Sequence, residues 1–257
     1  MQRRPGFPAQ WSAKAPAVEP RRSTPAAGGA LPAVSSPTGV GLDSAAVRGR
    51  MVQRLASAGI ASAAVLQAMG TVERHRFVDT ALVNQAYEDT SLPIGLGQTI
   101  SKPSIVARMC ELLLQAEGAR QGGLGRVLEI GTGCGYQAAV LSQLAREVYT
   151  IERLRGLHEK ARDNLRPFRL ANVHLMLGDG MLGYPRGAPY AGIIAAAGGD
   201  ALPAAWCDQL AVGGRLVAPL ALSGAGQVLL VIDKTPHGLK QSVLEPVHFV
   251  PLKSGIA

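Results

Sequence analysis

The segment that most constrains the fold is a buried-strand pattern that runs directly into closely spaced glycines. It reads Val-Leu-Glu-Ile-Gly-Thr-Gly-Cys-Gly-Tyr over residues 127–136. A helical pattern over 137–144 and a second strand pattern over 147–152 follow it. This order of strand, loop, helix and strand is typical of a nucleotide-binding sheet, in which the loop brings its backbone close to the ligand. The segment therefore predicts a cofactor site at residues 131–135.

The spacing of the glycines indicates which cofactor binds. A dinucleotide fingerprint has the pattern G-x-G-x-x-G, whereas here the third glycine comes one residue early, at Gly135. Glu129, inside the strand, would repel a phosphate and attract a cation. Both features favour S-adenosyl-L-methionine, which carries a sulfonium and an ammonium group and has no phosphate. Glu152 is placed to accept both ribose hydroxyls, and the simpler alternative is a solvated strand end.

Composition limits the class of protein. A chain of 257 residues that is 47% hydrophobic can bury one sizeable core, and it lacks the run of about 20 apolar residues that a membrane span requires. The three cysteines lie far apart, without the spacing of a disulfide framework or a metal site. We therefore expect a cytoplasmic protein without a metal, and we expect Cys134 to be a small loop residue rather than a nucleophile.

The net charge of +8 is concentrated at one end of the chain. Residues 1–50 hold seven basic and two acidic residues, so +5 of the total lies there. Residues 1–42 are rich in Pro, Ala, Gly, Ser and Arg, which predicts a disordered tail, although an organelle-targeting segment stays open. Residues 43–257 then form one domain. No basic run with interleaved aromatics follows residue 50, so we expect no nucleic-acid partner.

The remaining patterns predict the architecture. Two lead-in helices over 44–58 and 61–73 precede a loop over 87–103 that is too rich in Gly and Pro for regular structure, and Ser104 caps, or nearly caps, the next helix. Beyond residue 153 helices and strands alternate, and the chain ends in a hairpin with a last strand over 242–252. The fold class is therefore α/β, a mostly parallel doubly wound sheet with an antiparallel C-terminal hairpin.

Several segments resemble, in order, those of the protein-L-isoaspartate O-methyltransferase family. The most specific is Gly-Gln-Thr-Ile-Ser over 97–101, which other methyltransferases lack. Further matching segments cover 75–78, 86–89, 92–101, 128–136, 151–152, 178–180, 212–216 and 249–252. The resemblance begins near residue 45. It implies a Rossmann-like class I methyltransferase that uses S-adenosyl-L-methionine and releases S-adenosyl-L-homocysteine.

The resemblance also implies the substrate and the site. The substrate is the free α-carboxylate of isoaspartyl residues in damaged peptides and proteins, and because a carboxylate is ionised at neutral pH the transfer needs no general base. Ser101 matches the family's active-site serine, and we expect it to position the substrate by a hydrogen bond; the alternative is a plain turn before Pro103. The predicted cofactor contacts are Gln98, Thr99, Ser101, Glu129, Gly131, Thr132, Gly133, Glu152, Arg153, Asp179, Gly180 and Gln227. The predicted substrate loop is Thr99, Ile100, Ser101, Ala196 and Ala197.

Two other functions stay open. One is a class I methyltransferase that acts on RNA or a small molecule. The other is a weakly active cofactor-binding interaction module, which is suggested by Ala191 where the family usually has an aspartate. A second departure, Lys102 in place of a commonly neutral residue, favours an anionic group near Ser101. We expect a monomer.

Overall fold

The computed structural model describes residues 45–222 and 226–257, which lie in one compact unit. The tail predicted over 1–42 lies outside these residues. Within the described part, no helix combines the length and the apolar character needed to cross a membrane.

Helices and strands alternate through most of the described chain. The α-helices are α1 Ala45–Ser57, α2 Ala63–Thr71, α3 Pro103–Leu114, α4 Glu117–Gly122, α5 Tyr136–Ser142, α6 Arg155–Leu165 and α7 Ala204–Gln209. The strands are β1 Leu92–Gly95, β2 Gln98–Ile100, β3 Leu124–Ile130, β4 Ala145–Glu152, β5 Val173–Leu177, β6 Tyr190–Ala195, β7 Leu210–Leu222, β8 Gly226–Thr235 and β9 Gly238–Val247.

Seven strands form one sheet in the order β5-β4-β3-β6-β7-β8-β9. The pairs from β5 to β7 are parallel, and β8 and β9 are antiparallel, which confirms the predicted mostly parallel sheet with a terminal hairpin. From β3 the chain builds outward to β4 and β5 and then returns to place β6 on the other side. This reversal makes a crevice beyond the carboxyl ends of β3 and β6, where ligands bind in such sheets.

Both faces of the sheet are buried, as a doubly wound sheet requires. Successive β3 residues point to opposite faces, so Val127 joins one apolar cluster and Leu128 joins the other. Helices α1, α2 and α3 contribute Met51, Met69 and Val106 to the first cluster. The lead-in helices are therefore part of the domain core.

The structure differs from the sequence predictions around residues 87–104 and near the end. The predicted loop contains an antiparallel hairpin, in which β1 pairs with β2 and Gly95 and Gly97 have φ of 97° and 69°; the glycines form its turn. Helix α3 begins at Pro103, and the Ser104 amide donates to Asp89 Oδ1 at 2.8 Å, so Ser104 is not the cap. The last strand runs over Gly238–Val247, whereas it was predicted over 242–252, and Pro246 lies within it, opposite Val228.

Candidate active site

One crevice at the predicted edge of the sheet collects most of the predicted site residues. It is bordered by the β1–β2 hairpin, the glycine loop after β3, the end of β4, the turn after β5 and the loop after β6. The predicted residues on its wall are Gln98, Thr99, Ile100, Ser101, Gly131, Thr132, Gly133, Glu152, Arg153, Gly180, Ala196 and Ala197. Glu129, Asp179 and Gln227 are not on this wall.

The glycine loop depends on backbone conformations that favour glycine. Gly131, Gly133 and Gly135 have φ of 88°, 58° and 93°, a region that side chains disfavour. Gly135 sits directly before α5, and a Cβ there would lie 3.0 Å from Leu165 Cγ on α6. The early third glycine, which distinguishes this loop from a dinucleotide fingerprint, therefore allows α6 to pack closely against the loop.

Glu152 holds the glycine loop in place. Its Oε2 accepts from the Gly133 amide at 2.9 Å, and its Oε1 accepts from the Leu154 amide at 2.9 Å. The side chain is buried, so the alternative of a solvated strand end is wrong. Each carboxylate oxygen has a second lone pair, and Glu152 therefore keeps acceptor capacity toward the crevice.

Glu129 does not line the crevice, and a chain of hydrogen bonds connects it to the glycine loop. It is fully buried, and its Oε2 accepts from Thr150 Oγ1 at 2.5 Å, while that hydroxyl lies 2.6 Å from Thr132 Oγ1 in the loop. Burial raises the pKa of Glu129 to about 8. Burial therefore opposes the charged form of Glu129 in the ligand-free protein, and its role toward a cationic cofactor stays a prediction.

The hairpin brings the predicted substrate residues to the mouth of the crevice. Thr99 and Ser101 follow the turn, and their hydroxyls make no hydrogen bond to other described residues. No histidine or acid is bonded to Ser101 in the described part of the structure, so the serine lacks the base that a nucleophile requires. The Ser101 hydroxyl therefore has its donor and its acceptor capacity available at the crevice.

The end of the sequence forms a further wall. Asp179 accepts from the amides of Met181 and Gly255, at 2.9 and 2.7 Å, and Arg153 Nε donates to Gly255 O at 2.9 Å. Gln227 bonds twice to the backbone of Phe249, at 2.7 and 3.2 Å. Asp179 and Gln227 thus anchor residues 249–255 beside the crevice.

Sequence reasoning missed Gln137, which lines the crevice from the first turn of α5. Its Nε2 and Glu129 Oε1 are buried and have no hydrogen-bond partner among the described residues. The sequence signal that could have identified Gln137 is a polar residue at the start of an otherwise mostly apolar helix. It also missed residues 250–253, which line the crevice and carry no motif apart from the resemblance near Pro251.

The wall fits a ligand such as S-adenosyl-L-methionine in two respects. Glu152 keeps acceptor capacity after its two amide hydrogen bonds, as the hydroxyls of a ribose require. A Cβ on Gly133 would lie 3.2 Å from Ile94 Cδ1, and one on Gly180 would lie 2.6 Å from Ile130 Cγ2. Because Ile94 and Ile130 also line the crevice, glycine at both positions keeps it open.

Cys134 is buried in the loop, and burial raises the pKa of its thiol to about 11. The group therefore remains a thiol at neutral pH, as a loop residue should. Among residues 45–222 and 226–257 no cluster of three or more potential metal ligands occurs.

Known proteins share this sequence and fold. The family model of protein-L-isoaspartate(D-aspartate) O-methyltransferase matches residues 46–257. The protein-L-isoaspartate O-methyltransferase of Methylibium petroleiphilum is 59% identical over 253 residues, which cover 96% of this chain and 92% of that protein. The same-named protein of Leptothrix cholodnii is 58% identical over 242 residues, which cover 93% of this chain and 82% of that protein. An alignment over 96% of the chain includes part of the segment before residue 46.

Solved structures agree. A protein-L-isoaspartate O-methyltransferase superposes with a TM-score of 0.72 at 28% identity, covering 80% of this chain and 66% of that chain. A Plasmodium falciparum protein that is provisionally given the same name, in complex with S-adenosyl-L-homocysteine, has a TM-score of 0.69 at 23% identity, covers 80% of this chain and 98% of its own, and supports the fold alone. The chain belongs to the protein-L-isoaspartate(D-aspartate) O-methyltransferase family.

Proposed function

We propose that the protein transfers a methyl group from S-adenosyl-L-methionine to the free α-carboxylate of L-isoaspartyl residues in damaged proteins and peptides. The observation that carries this proposal is the Gln98–Ile100 strand and Ser101, which form one side of the cofactor crevice. Relatives that are 58–59% identical over more than nine-tenths of the chain bear the name of this activity.

The site chemistry suits a carboxylate substrate. A peptide carboxyl group with a pKa near 3.5 is ionised at neutral pH, so no residue has to remove a proton. The hydroxyls of Thr99 and Ser101 can donate to the carboxylate and fix its direction. Bound S-adenosyl-L-methionine supplies an electrophilic methyl group on its sulfonium. Orientation of the carboxylate toward the methyl group lowers such a barrier by several kcal/mol, and in principle by about 7–11 kcal/mol.

We also propose roles for the residues that would hold the cofactor. Glu152 accepts from the ribose hydroxyls through its remaining lone pairs, and the backbone of residues 131–133 approaches the cofactor. Asp179 is off the wall of the ligand-free crevice but next to Gly180, which lines it, and the second lone pairs of its two amide-bonded oxygens would accept from the adenine amino group. Gln98, Arg153 and Gly180 form the rest of the contact surface. Glu129 and Gln227 act indirectly, because the first supports Thr132 and the second fixes Phe249.

The alternative of a weakly active binding module loses its support. Ala191 lies near the start of β6, and its Cβ faces Gly125, with 3.6 Å to a Cβ built there. The crevice opens beyond the other end of that strand, about 13 Å away at 3.3 Å per residue. The missing family acid is therefore remote from the reacting groups.

The proposal is tested by methyl transfer to three acceptors in parallel: an isoaspartyl peptide, the same peptide with a normal aspartyl residue, and RNA. We expect labelling of the isoaspartyl peptide alone, as a base-labile ester that releases methanol. Labelling of RNA alone, or equal labelling of both peptides, would refute it. Cofactor binding without any turnover would support the binding module instead.

Cellular context forms a further part of the proposal. We propose a cytoplasmic monomer without a nucleic-acid partner. Free thiols at Cys110, Cys134 and Cys207 suit a reducing compartment, and +5 of the net charge of +8 belongs to residues 1–50 of the sequence. The large apolar side chains exposed in the described part come from separated segments, as on ordinary monomer surfaces.

A further inference from the structure

A second groove lies beside the crevice and shares Ser101 with it. Its wall includes Ser91, Lys102, Ile105, His248 and Phe249. Because Ser101 lines both spaces, a peptide whose isoaspartyl group lies at Ser101 has its neighbouring residues within reach of this groove. An extended peptide advances about 3.3 Å per residue, so the residues concerned lie one or two positions from the isoaspartyl residue.

Lys102 gives the side groove a positive charge. It lines the groove and not the crevice, so its ammonium is not placed to neutralise the reacting carboxylate. That ammonium forms no hydrogen bond or ion pair with any described residue. His248, the other titratable residue on the wall, is exposed. The charge of Lys102 is therefore available to a ligand.

Two of the acids nearest along the chain already have partners, and a third, Glu88, is exposed and is not on the groove wall. Asp89 accepts from the Ser104 amide at 2.8 Å, and Glu245 pairs with Arg108 Nε at 3.0 Å. The groove wall itself contains no acidic residue in the described part of the chain. Ile105 and Phe249 give the groove apolar walls, and Gln227 fixes the Phe249 backbone, so the groove has a defined shape.

We propose that the side groove binds an acidic side chain of the substrate peptide, one or two residues from the isoaspartyl residue, through Lys102. This inference rests on the proposed function, and it adds a sequence preference: isoaspartyl sites with an acidic neighbour are methylated faster than otherwise identical sites without one. Lys102 is a specificity residue in this scheme and takes no part in the transfer.

The test compares isoaspartyl peptides that carry Glu or Gln at each of the two positions on either side, and it measures kcat/KM. We expect one position at which Glu is preferred about 1.5- to 5-fold, the range for exposed ion pairs. The preference should shrink as salt is added, because the pair is solvent-accessible.

Three variants test whether Lys102 in the side groove causes this preference. Lys102→Gln should reduce the Glu-to-Gln ratio to about one, Lys102→Arg should keep it, and Lys240→Gln, which removes an exposed charge on β9, should leave it unchanged. A ratio does not depend on how much of a variant is folded. No preference in the unchanged protein, or an intact preference in Lys102→Gln, would overturn the inference. Failure to methylate any isoaspartyl peptide would instead refute the proposed function.

Discussion

The carboxylate of Glu152 accepts a hydrogen bond from the amide of Gly133 at 2.9 Å, which ties the end of β4 to the glycine loop after β3. Its other oxygen accepts from Leu154 at 2.9 Å. One buried side chain thus sets the distance between two edges of the crevice before any ligand arrives. Glu152 is therefore a structural anchor of the pocket as well as a predicted ribose ligand.

We expect Glu152→Ala to raise the Kd for S-adenosyl-L-methionine at least tenfold. A hydrogen bond to a charged group contributes about 1.5–3 kcal/mol, and about 1.4 kcal/mol is a factor of ten. Titration calorimetry measures the effect, and Glu159→Ala, an exposed acid on α6, controls for the lost charge. An unchanged Kd in Glu152→Ala would show that this residue does not shape the cofactor site.

Ser101→Ala should lower turnover and leave cofactor affinity largely intact, because the Ser101 hydroxyl is expected to bond to the substrate carboxylate and Ser101 is only one of many predicted cofactor contacts. The loss of one hydrogen bond to a charged group predicts a fall in kcat/KM of about 10- to 100-fold. Steady-state kinetics and calorimetry on the same samples separate the two effects. Ser104→Ala in the first turn of α3 is the matched control. Weaker cofactor binding with unchanged turnover would contradict this role.

The sheet was predictable because its signals are local. The apolar run of β3, the glycines and the acid at 152 stand next to one another in sequence, and their order specifies a parallel unit. The β1–β2 hairpin could not be predicted from the sequence, because its glycines and Pro93 lower the propensity of this segment to form strands. Pairing of Leu92 with Ile100 depends on burial of both side chains in the core, which no local pattern reveals.

Glu129→Gln should change how stability depends on pH. Burial raises the pKa of Glu129 from an ordinary 4.5 to about 8, so the folded state binds a proton that the unfolded state has lost between these values. Its contribution is complete below pH 4.5 and is lost as the pH rises through 8, by at most about 1.4 kcal/mol per unit. Glutamine cannot ionise, so the variant should gain stability relative to wild type between pH 5.5 and 8.5.

Urea unfolding of both proteins at these two pH values measures the effect. Parallel changes in the free energy of unfolding would show that Glu129 is ionised in the folded protein.

Gly180→Ala should lower the free energy of unfolding through a single contact at the crevice. The added Cβ would lie 2.6 Å from Ile130 Cγ2, and overpacking of this kind costs about 1–3 kcal/mol. Gly49→Ala is the matched control, because Gly49 is an exposed residue of α1 and a Cβ added to it would meet no atom within 4 Å; it should gain about 0.5–1 kcal/mol. Thermal unfolding measures both variants, and equal melting temperatures for Gly180→Ala and Gly49→Ala would show that the added Cβ does not clash with Ile130.

Part of the site could not be predicted because it is assembled from distant segments. Asp179 and Gly255 are far apart in sequence, yet the Gly255 amide donates to Asp179 Oδ2 at 2.7 Å. The raised pKa of Glu129 follows from its burial, which depends on how helices cover the sheet and cannot be read from the residue type. The resemblance supplied the roles of Ser101 and Asp179, but it did not indicate which side chains reach the crevice wall.

The most direct measurement follows a mixture of one isoaspartyl peptide and its aspartyl twin by mass spectrometry, with the protein and S-adenosyl-L-methionine present. We expect one methyl group to appear on the isoaspartyl peptide only, at its α-carboxylate, followed by a succinimide and then by normal aspartyl peptide. Methylation of the two peptides at equal rates, or of neither, would contradict the proposed function.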